Sequence, residues 1–427
     1  MSFNDFQDRT ERLLAKYNVD ASTFCPLPFV HVSTMPHGEV KLCCRGQPPA
    51  KGKNPKVTDD GFDLKEYWNS DYMNSVRDSL IAGDKINQCK NCWKMEDNNI
   101  VSLRHNRIAD LMELESTQQN IKQYMETKEI DFRIPIIELK LSNVCNFKCR
   151  MCWPKDSSKW MQDWDAVKKF YDEDNQQYID DIISDNDLKK RRVMNLFERD
   201  EDFVAQLVEV MSGVEEIEFA GGEPLMDPIH YRVLESIPNP ENVTLKYSTN
   251  LSIMKLGKHN VLETWKKFKS IKLTISIDGY RDLNARIRRG ADWDLLKKNI
   301  QDCKQLPNID IIKGTTCISA MNATELGDTA NAIVMELGIH WHTSRVQWPD
   351  FLHANVIDPK SLQYGIQNIE RFLNDIAFRQ DIKRKRMLVT HLNGAANWLQ
   401  SCIDSNMHEK NYKRYQEFMK TIDILDK

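Results

Sequence analysis

Apolar positions along the chain keep two rhythms, and the change between them divides the text. From Phe3 to Tyr17 they recur at helical spacing (Phe3, Phe6, Leu13, Leu14, Tyr17), which predicts a short helix. Phe29-Val30-His31-Val32 and Glu39-Val40-Lys41-Leu42 are strand-like runs either side of Pro36-His37-Gly38, a turn signal, so a hairpin is expected. Gln47 to Gly61 is rich in Pro, Gly and Lys and reads as a loop. Leu64 to Ala82 predicts a helix stopped by Gly83-Asp84, and Ser102 to Thr127 predicts another.

A strand–helix alternation then begins. Ile136–Leu141, Ile217–Ala220, Val243–Ser248, Ile271–Ile277 and Ile309–Ile318 read as strands, with Trp341–Trp348 a weaker sixth. Helical patterns fill the gaps at Phe203–Met211, Val261–Phe268, Trp293–Leu306 and Glu325–Leu337. Repeated units of this kind predict an α/β fold with a parallel sheet, open or curled into part of a barrel. Ligands in such folds sit at the carboxyl ends of the strands. Lys155 to Arg199 reads as a charged helical insertion, and its run Lys189-Lys190-Arg191-Arg192 as a solvated face or a contact to an anionic partner. Asp358 to Lys427 reads as polar helices, a lid or outer cover.

Composition narrows the classes. A chain of 427 residues suggests two or three domains, and 41% hydrophobic with 29% charged residues is an ordinary globular balance. A net charge of −4 argues against a protein that coats nucleic acid. No run of eighteen apolar residues predicts a membrane span, and Met1 to Asp20 lacks the blocks of a signal peptide. A cytoplasmic, reducing location is therefore expected. Eight of the eleven cysteines lie in the first 152 residues, which in a reducing compartment points to metal ligation more than to disulfides.

Cys145-Asn146-Phe147-Lys148-Cys149-Arg150-Met151-Cys152 is a C-x3-C-x2-C triplet directly after the first strand of the alternation. Three thiolates can hold three irons of a cubane and leave the fourth open to a chelating ligand. Structural zinc sites close with four ligands, and no His or Cys follows Cys152 closely enough to be an obvious fourth. Taken alone, the triplet also reads as a zinc knuckle or as unrelated thiols. Gly221-Gly222-Glu223-Pro224 follows the second strand, where glycines let backbone approach a ligand closely.

Triplet and Gly-Gly-Glu-Pro, in this order, resemble the radical S-adenosylmethionine (SAM) superfamily over about residues 134–350. The resemblance implies a partial (β/α)6 barrel, a 4Fe–4S cluster held by Cys145, Cys149 and Cys152, and reductive cleavage of SAM to a 5′-deoxyadenosyl radical that abstracts hydrogen from a substrate. It implies that Gly221, Gly222, Glu223 and Pro224 receive the SAM amino group. It implies further SAM contacts from Ser248 and Asn250, from Ser276 and Asp278, and from Arg288, whose guanidinium suits a carboxylate. Phe147 and Met151 pack near the adenine or in the core. An external low-potential electron donor of flavodoxin or ferredoxin type is implied as a partner.

Cys25, Cys43, Cys89 and Cys92 form a second constellation. Four thiolates suit either tetrahedral zinc or a fully ligated 4Fe–4S cluster. The pattern C-x12-G-x4-C, then Tyr67-Trp68-Asn69-Ser70, Arg77 and a C-x2-C pair, resembles the SPASM and twitch modules of the superfamily, which implies one auxiliary cluster. The module usually follows the barrel and here precedes it. Cys44, beside Cys43, is the alternative ligand. Cys303, Cys317 and Cys402 read as buried apolar residues, Cys317 near a strand end.

The expected organisation is an auxiliary-cluster module over residues 1–105, a linker helix over 106–133, the barrel over 134–350 and a helical region over 351–427. Oxidative modification of a peptide or protein is the expected activity. Dehydrogenation or rearrangement of a small sugar or alcohol, and a non-enzymatic zinc-bound interaction protein, are the alternatives.

Overall fold

The computed structural model describes residues 3–171 and 201–426, apart from 18, 50–53, 58, 99–100, 347 and 406–408. In chain order its strands are β1 His31–Thr34, β2 Val40–Lys41, β3 Ile136–Lys140, β4 Lys148–Cys149, β5 Glu216–Ala220, β6 Thr244–Thr249, β7 Lys255–Leu256, β8 His259–Asn260, β9 Ser270–Ser276, β10 Arg288–Arg289, β11 Ile309–Ile318 and β12 His340–Arg345. The fold is mixed α/β with an eight-stranded sheet, and β4–β10 and β7–β8 form separate two-stranded ribbons. The six strands expected of the alternation are β3, β5, β6, β9, β11 and β12, each within three residues of its expected bounds. Among the described residues no helix is long and apolar enough to cross a membrane.

Two compact units divide the chain. The first comprises Met1–Ser142, Asn195–Ala220 and Pro228–Leu245. In it β1 and β2 form a hairpin, Ser33 opposite Lys41, with Gly38 at φ +96° in the turn, but Phe29 and Val30, expected in its first strand, end the helical turn Leu27–Val30. The hairpin is not a separate module. β1 lies parallel beside β3 (Val32 opposite Ile137), and β3 beside β5 (Ile137 opposite Ile217). All four residues of β1 are buried, so its apolar side needs the cover that a sheet neighbour and packed helices provide. Strand alternation sends Val32, Ile137, Leu139, Ile217 and Phe219 to one face, and His31, Ser33, Glu138, Lys140 and Glu218 to the other.

Two helices expected whole are broken. Leu64–Trp68 and Asp71–Ala82 are separate because Ser70 caps the second, its Oγ accepting from Met73 N, while Asn69 exchanges hydrogen bonds with the Ile130 backbone. Gly83, at φ +97°, ends the helix as expected. Ser102 caps Leu103–Leu111, and the chain turns before the next helix, Glu115–Thr127.

The second unit comprises Asn143–Met194, Gly221–Asp227 and Lys246–Lys427. Here β9, β11 and β12 run parallel, with Ser276 opposite Thr315 and Thr315 opposite His342. Helices Pro359–Ile376, Lys385–Asp404 and Glu409–Leu425 follow, as the polar helical text predicted. The described start of the expected charged insertion differs from its reading. Trp160, Trp164, Val167, Phe170 and Tyr171 recur at helical spacing and are buried with Trp153, Phe351 and Phe418, while the charges of Lys168 and Lys169 face out. The run Lys189-Lys190-Arg191-Arg192 lies outside the described residues.

Candidate active site

The cysteine loop is built by its neighbours in the second unit. Lys148 and Cys149 pair antiparallel with Arg289 and Arg288. Trp160 Nε1 donates to Cys149 O at 2.9 Å, and Ser157 Oγ to Phe147 O at 2.7 Å. These bonds fold the loop so that Cys145 and Cys149 are buried together with Phe147, and Cys152 packs against them. Phe147 N donates to Cys145 Sγ at 3.4 Å. Burial pushes the Cys145 thiol up to about 12. A hydrogen bond with the Cys152 thiol, aided by Arg288, lowers Cys149, and the same bond, with burial, raises Cys152.

The Gly-Gly-Glu turn lies directly on this loop. Glu223 N donates to Val144 O at 2.7 Å. A Cβ on Gly222 would stand 2.2 Å from the same oxygen, and Gly221 adopts φ +113°. Both positions therefore require glycine. The Glu223 side chain is 1% exposed and fully engaged. Thr249 Oγ1 donates to its Oε1 at 2.6 Å and Leu225 N at 3.2 Å, while Asn250 N donates to Oε2 at 2.7 Å. Burial raises its carboxyl to about 7, and those three bonds hold it from going further. Glu223 thus fastens the turn to the end of β6.

Beyond β9, Asp278 Oδ2 pairs with Arg288 Nε at 2.6 Å, and Asp278 Oδ1 accepts from Cys317 N at 2.7 Å. Arg288 NH1 reaches Cys149 Sγ at 3.7 Å. Burial opposes the Arg288 charge, but Asp278 and the nearby thiols of Cys149, Cys152 and Cys317 outweigh it and hold the guanidinium more firmly protonated. Arg289 turns away to Asp426, at 2.5 Å.

The structure therefore brings together, within one unit, Cys145, Cys149, Cys152, Phe147, Glu223, Asn250, Asp278 and Arg288. Asn250 contributes its backbone to Glu223 and its amide to Asn146, at 3.0 Å. Gly221, Gly222 and Pro224 lie in the same turn. Ser248 and Ser276 are half-buried on β6 and β9. Met151 packs with Cys152, Cys317 and Met321 against the aromatic cluster. Thr249 was passed over for its neighbours Ser248 and Asn250. Asn322 Nδ2 donates to Asp278 O at 2.9 Å and to Cys317 O at 3.0 Å, joining the ends of β9 and β11. Strand parity was the signal for Thr249, since it continues the buried series Leu245, Tyr247.

The first unit holds the second constellation. Cys25, Cys43, Cys89 and Cys92 line one cavity, together with the cations of Arg45 and Arg104. Burial raises all four thiols, Cys25 and Cys43 to about 12, and each lies close enough to others of the set for their charges to interact. Cys44 turns to the other side, toward Glu138, Lys140 and Glu218. Arg104 is anchored by Glu96 at 2.6 Å and by the carbonyls of Ala21 and Phe24. Arg77 sits elsewhere, bound to Pro28 O at 2.9 Å and stacked on Trp68.

Among the described residues no three His, Cys, Asp or Glu side chains are close enough to share a single metal ion. In a cubane each thiolate takes a different iron, so its ligands stand wider apart than those of one ion. The donor chemistry of both cysteine sets fits such a group. Three thiols gather beside a turn that only glycines permit, and four thiols face one cavity beside two cations.

Residues 139–333 match the sequence model of the radical SAM superfamily, a match that supports an enzyme. No curated protein matches the chain. Among solved structures, native anSMEcpe with bound AdoMet is 15% identical, with 57% of this chain and 61% of that one covered and a TM-score of 0.37. SuiB of Streptococcus suis bound to S-adenosylmethionine is 14% identical, covering 74% and 64%, with a TM-score of 0.32. TYW1 with a lysine-pyruvate adduct is 11% identical, covering 60% and 80%, with a TM-score of 0.31. The match spans about three fifths of the length of anSMEcpe.

Proposed function

We propose that the chain is a radical SAM enzyme with a partial (β/α)6 barrel, and that it oxidatively modifies a peptide or protein. The observation that carries this reading is the docking of the Gly221-Gly222-Glu223 turn on the cysteine loop, through Glu223 N to Val144 O at 2.7 Å. That contact sets free backbone groups of the turn beside three gathered thiols, which is what a ligand spanning an iron and a backbone needs.

Cys145, Cys149 and Cys152 would hold a 4Fe–4S cluster, which when bound gives SAM one electron and so yields methionine and a 5′-deoxyadenosyl radical. The rest is positioning by the chain. Glu223 locks the turn rather than meeting the ligand with a free carboxylate, because its oxygens already accept three hydrogen bonds. Gly221 and Gly222 leave the backbone bare for the SAM ammonium. Arg288, held by Asp278, presents its remaining N–H groups to the SAM carboxylate and leans toward Cys149. Phe147 and the aromatic cluster behind Met151 exclude water from a reactive carbon radical. Hydrogen abstraction leaves a substrate radical, which becomes an oxidised product on losing one electron and one proton. Cys25, Cys43, Cys89 and Cys92 would hold a second cluster able to accept that electron. Arg45 and Arg104 would offset its negative charge.

Anaerobic reconstitution with iron, sulfide, dithionite and SAM tests the core claim. It is expected to release 5′-deoxyadenosine, and Cys149→Ser to abolish the release. A reconstituted protein with full iron content that leaves SAM intact would refute it.

A further inference from the structure

We infer that Arg104 is a positioning residue of the second cysteine set, holding a buried positive charge against it and so raising the reduction potential of the group these thiols carry. This role rests on the reading that Cys25, Cys43, Cys89 and Cys92 hold a second cluster, and it names the residue that suits that cluster to receive an electron.

Arg104 lines the same cavity as the four cysteines, and its side chain is 4% exposed. Every N–H of its guanidinium faces a partner. Nε and Nη2 meet the two oxygens of Glu96 at 3.0 and 2.6 Å. Nη1 reaches Ala21 O at 2.9 Å and Phe24 O at 3.0 Å, and Nη2 also lies 3.4 Å from His105 Nε2. The guanidinium stands 5.5 Å from the centroid of the Trp93 ring. Held on all sides, the side chain has no donor left for a sulfur and acts on the thiols through its charge. The same fork fixes the backbone of Phe24, the residue before Cys25. Arg45, the other cation of the cavity, is exposed, so solvent screens it.

The pair of Arg104 with Glu96 is not neutral toward the four thiols. Burial raises Cys25, Cys89 and Cys92. Arg104 opposes that rise at Cys25 and at Cys89, and at Cys25 its effect exceeds the contrary one of Glu96. At Cys92 the order is reversed, and Glu96 exceeds the Arg104 charge. The cation thus faces one side of the set and the anion the other. At Cys92 the backbone N–H of Arg104 and the Ser102 hydroxyl also donate hydrogen bonds to the sulfur. Reduction adds a negative charge to a group already bound by thiolates. A buried cation and donors to sulfur favour the reduced state and raise the potential.

A redox titration followed by electron paramagnetic resonance tests this role. It uses the full chain with Cys145→Ala, Cys149→Ala and Cys152→Ala, reconstituted anaerobically, so that the signal belongs to the second set. Arg104→Met is expected to lower the midpoint potential by about 59 mV or more, a tenfold change in a one-electron equilibrium. Arg104→Lys, which keeps the charge, is expected to restore most of the shift. Glu96→Gln removes the anion and is expected to move the potential the other way; it also serves if Arg104→Met fails to fold. A merely structural role would lower stability without opposed shifts, so potentials that stay put, or move together in the two variants, overturn it. Iron content separates this role from the reading beneath it. About four irons per chain with an unmoved potential keep the second cluster and defeat the role of Arg104, whereas zinc or no metal defeats both.

Discussion

Gly222 leaves no room for even a methyl group, because the blocking atom is the backbone oxygen of Val144 and not a side chain that can move. Gly222→Ala is expected to destabilise the protein by ~2 kcal/mol or more and to abolish SAM binding, read by thermal unfolding and equilibrium dialysis. Buried histidines set a different residue-scale expectation. His31, 2% exposed and bonded to Leu42 O at 3.0 Å, is lowered from 6.5 to about 4 by burial. The unfolded chain therefore binds the extra proton between these values, so this part of the stability is present above pH 6.5 and is lost as pH falls toward 4. Chemical unfolding from pH 7 to 4 is expected to show that loss, of at most about 3 kcal/mol, and His31→Gln to flatten it. Glycines and cysteines stand out in the text because chemistry restricts what can replace them. Which of the neighbouring hydroxyls of Ser248 and Thr249 reaches Glu223 does not stand out, because only the side-chain direction on β6 decides it.

The helix Glu409–Leu425 shows what an element adds. Phe418 and Ile422 enter the aromatic cluster, while Asp423 and Asp426 meet Arg150 at 2.7 and 3.0 Å. Arg150 lies between two of the three clustered cysteines, so this helix holds the loop that carries them. Asp423→Asn with Asp426→Asn is expected to lower stability by about 1 kcal/mol, more at low salt than at high, because the partners are partly solvated. Loss of bound iron in air is expected to quicken in the same variant, followed by absorbance. The strands and the C-terminal helices were legible because their apolar periods are long and regular. The break at Asn69-Ser70 was not, since a cap serine inside a continuous helical pattern is indistinguishable from a solvent-facing one until its partners are known, and the break after Leu111 has no side-chain cap to mark it. The aromatic cluster was hidden for a related reason. The highly charged text after Tyr171 overshadows the stretch from Trp160 to Tyr171, whose buried residues keep a helical spacing.

On the scale of the whole molecule, two cysteine sets lie one in each compact unit. Iron analysis after anaerobic reconstitution is expected to give about eight irons per chain. Cys89→Ala with Cys92→Ala is expected to bring this to about four, to leave 5′-deoxyadenosine release intact and to stop formation of oxidised product. Full product from that variant would show that the second set takes no electron. Both sets were visible as spacings, but their surroundings were not: nothing in the text places Arg104 beside the four thiols or turns Cys44 away from them. Nor did it reveal that the hairpin carrying Cys25 and Cys43 on its flanks is stitched edge-on to β3. Chimeras follow from that last feature. A graft that exchanges only the first hundred residues with those of another protein would install a foreign edge against Ile136, Ile137 and Glu138. Successful hybrids will need their crossover after Lys140, so that both halves of the seam come from one parent.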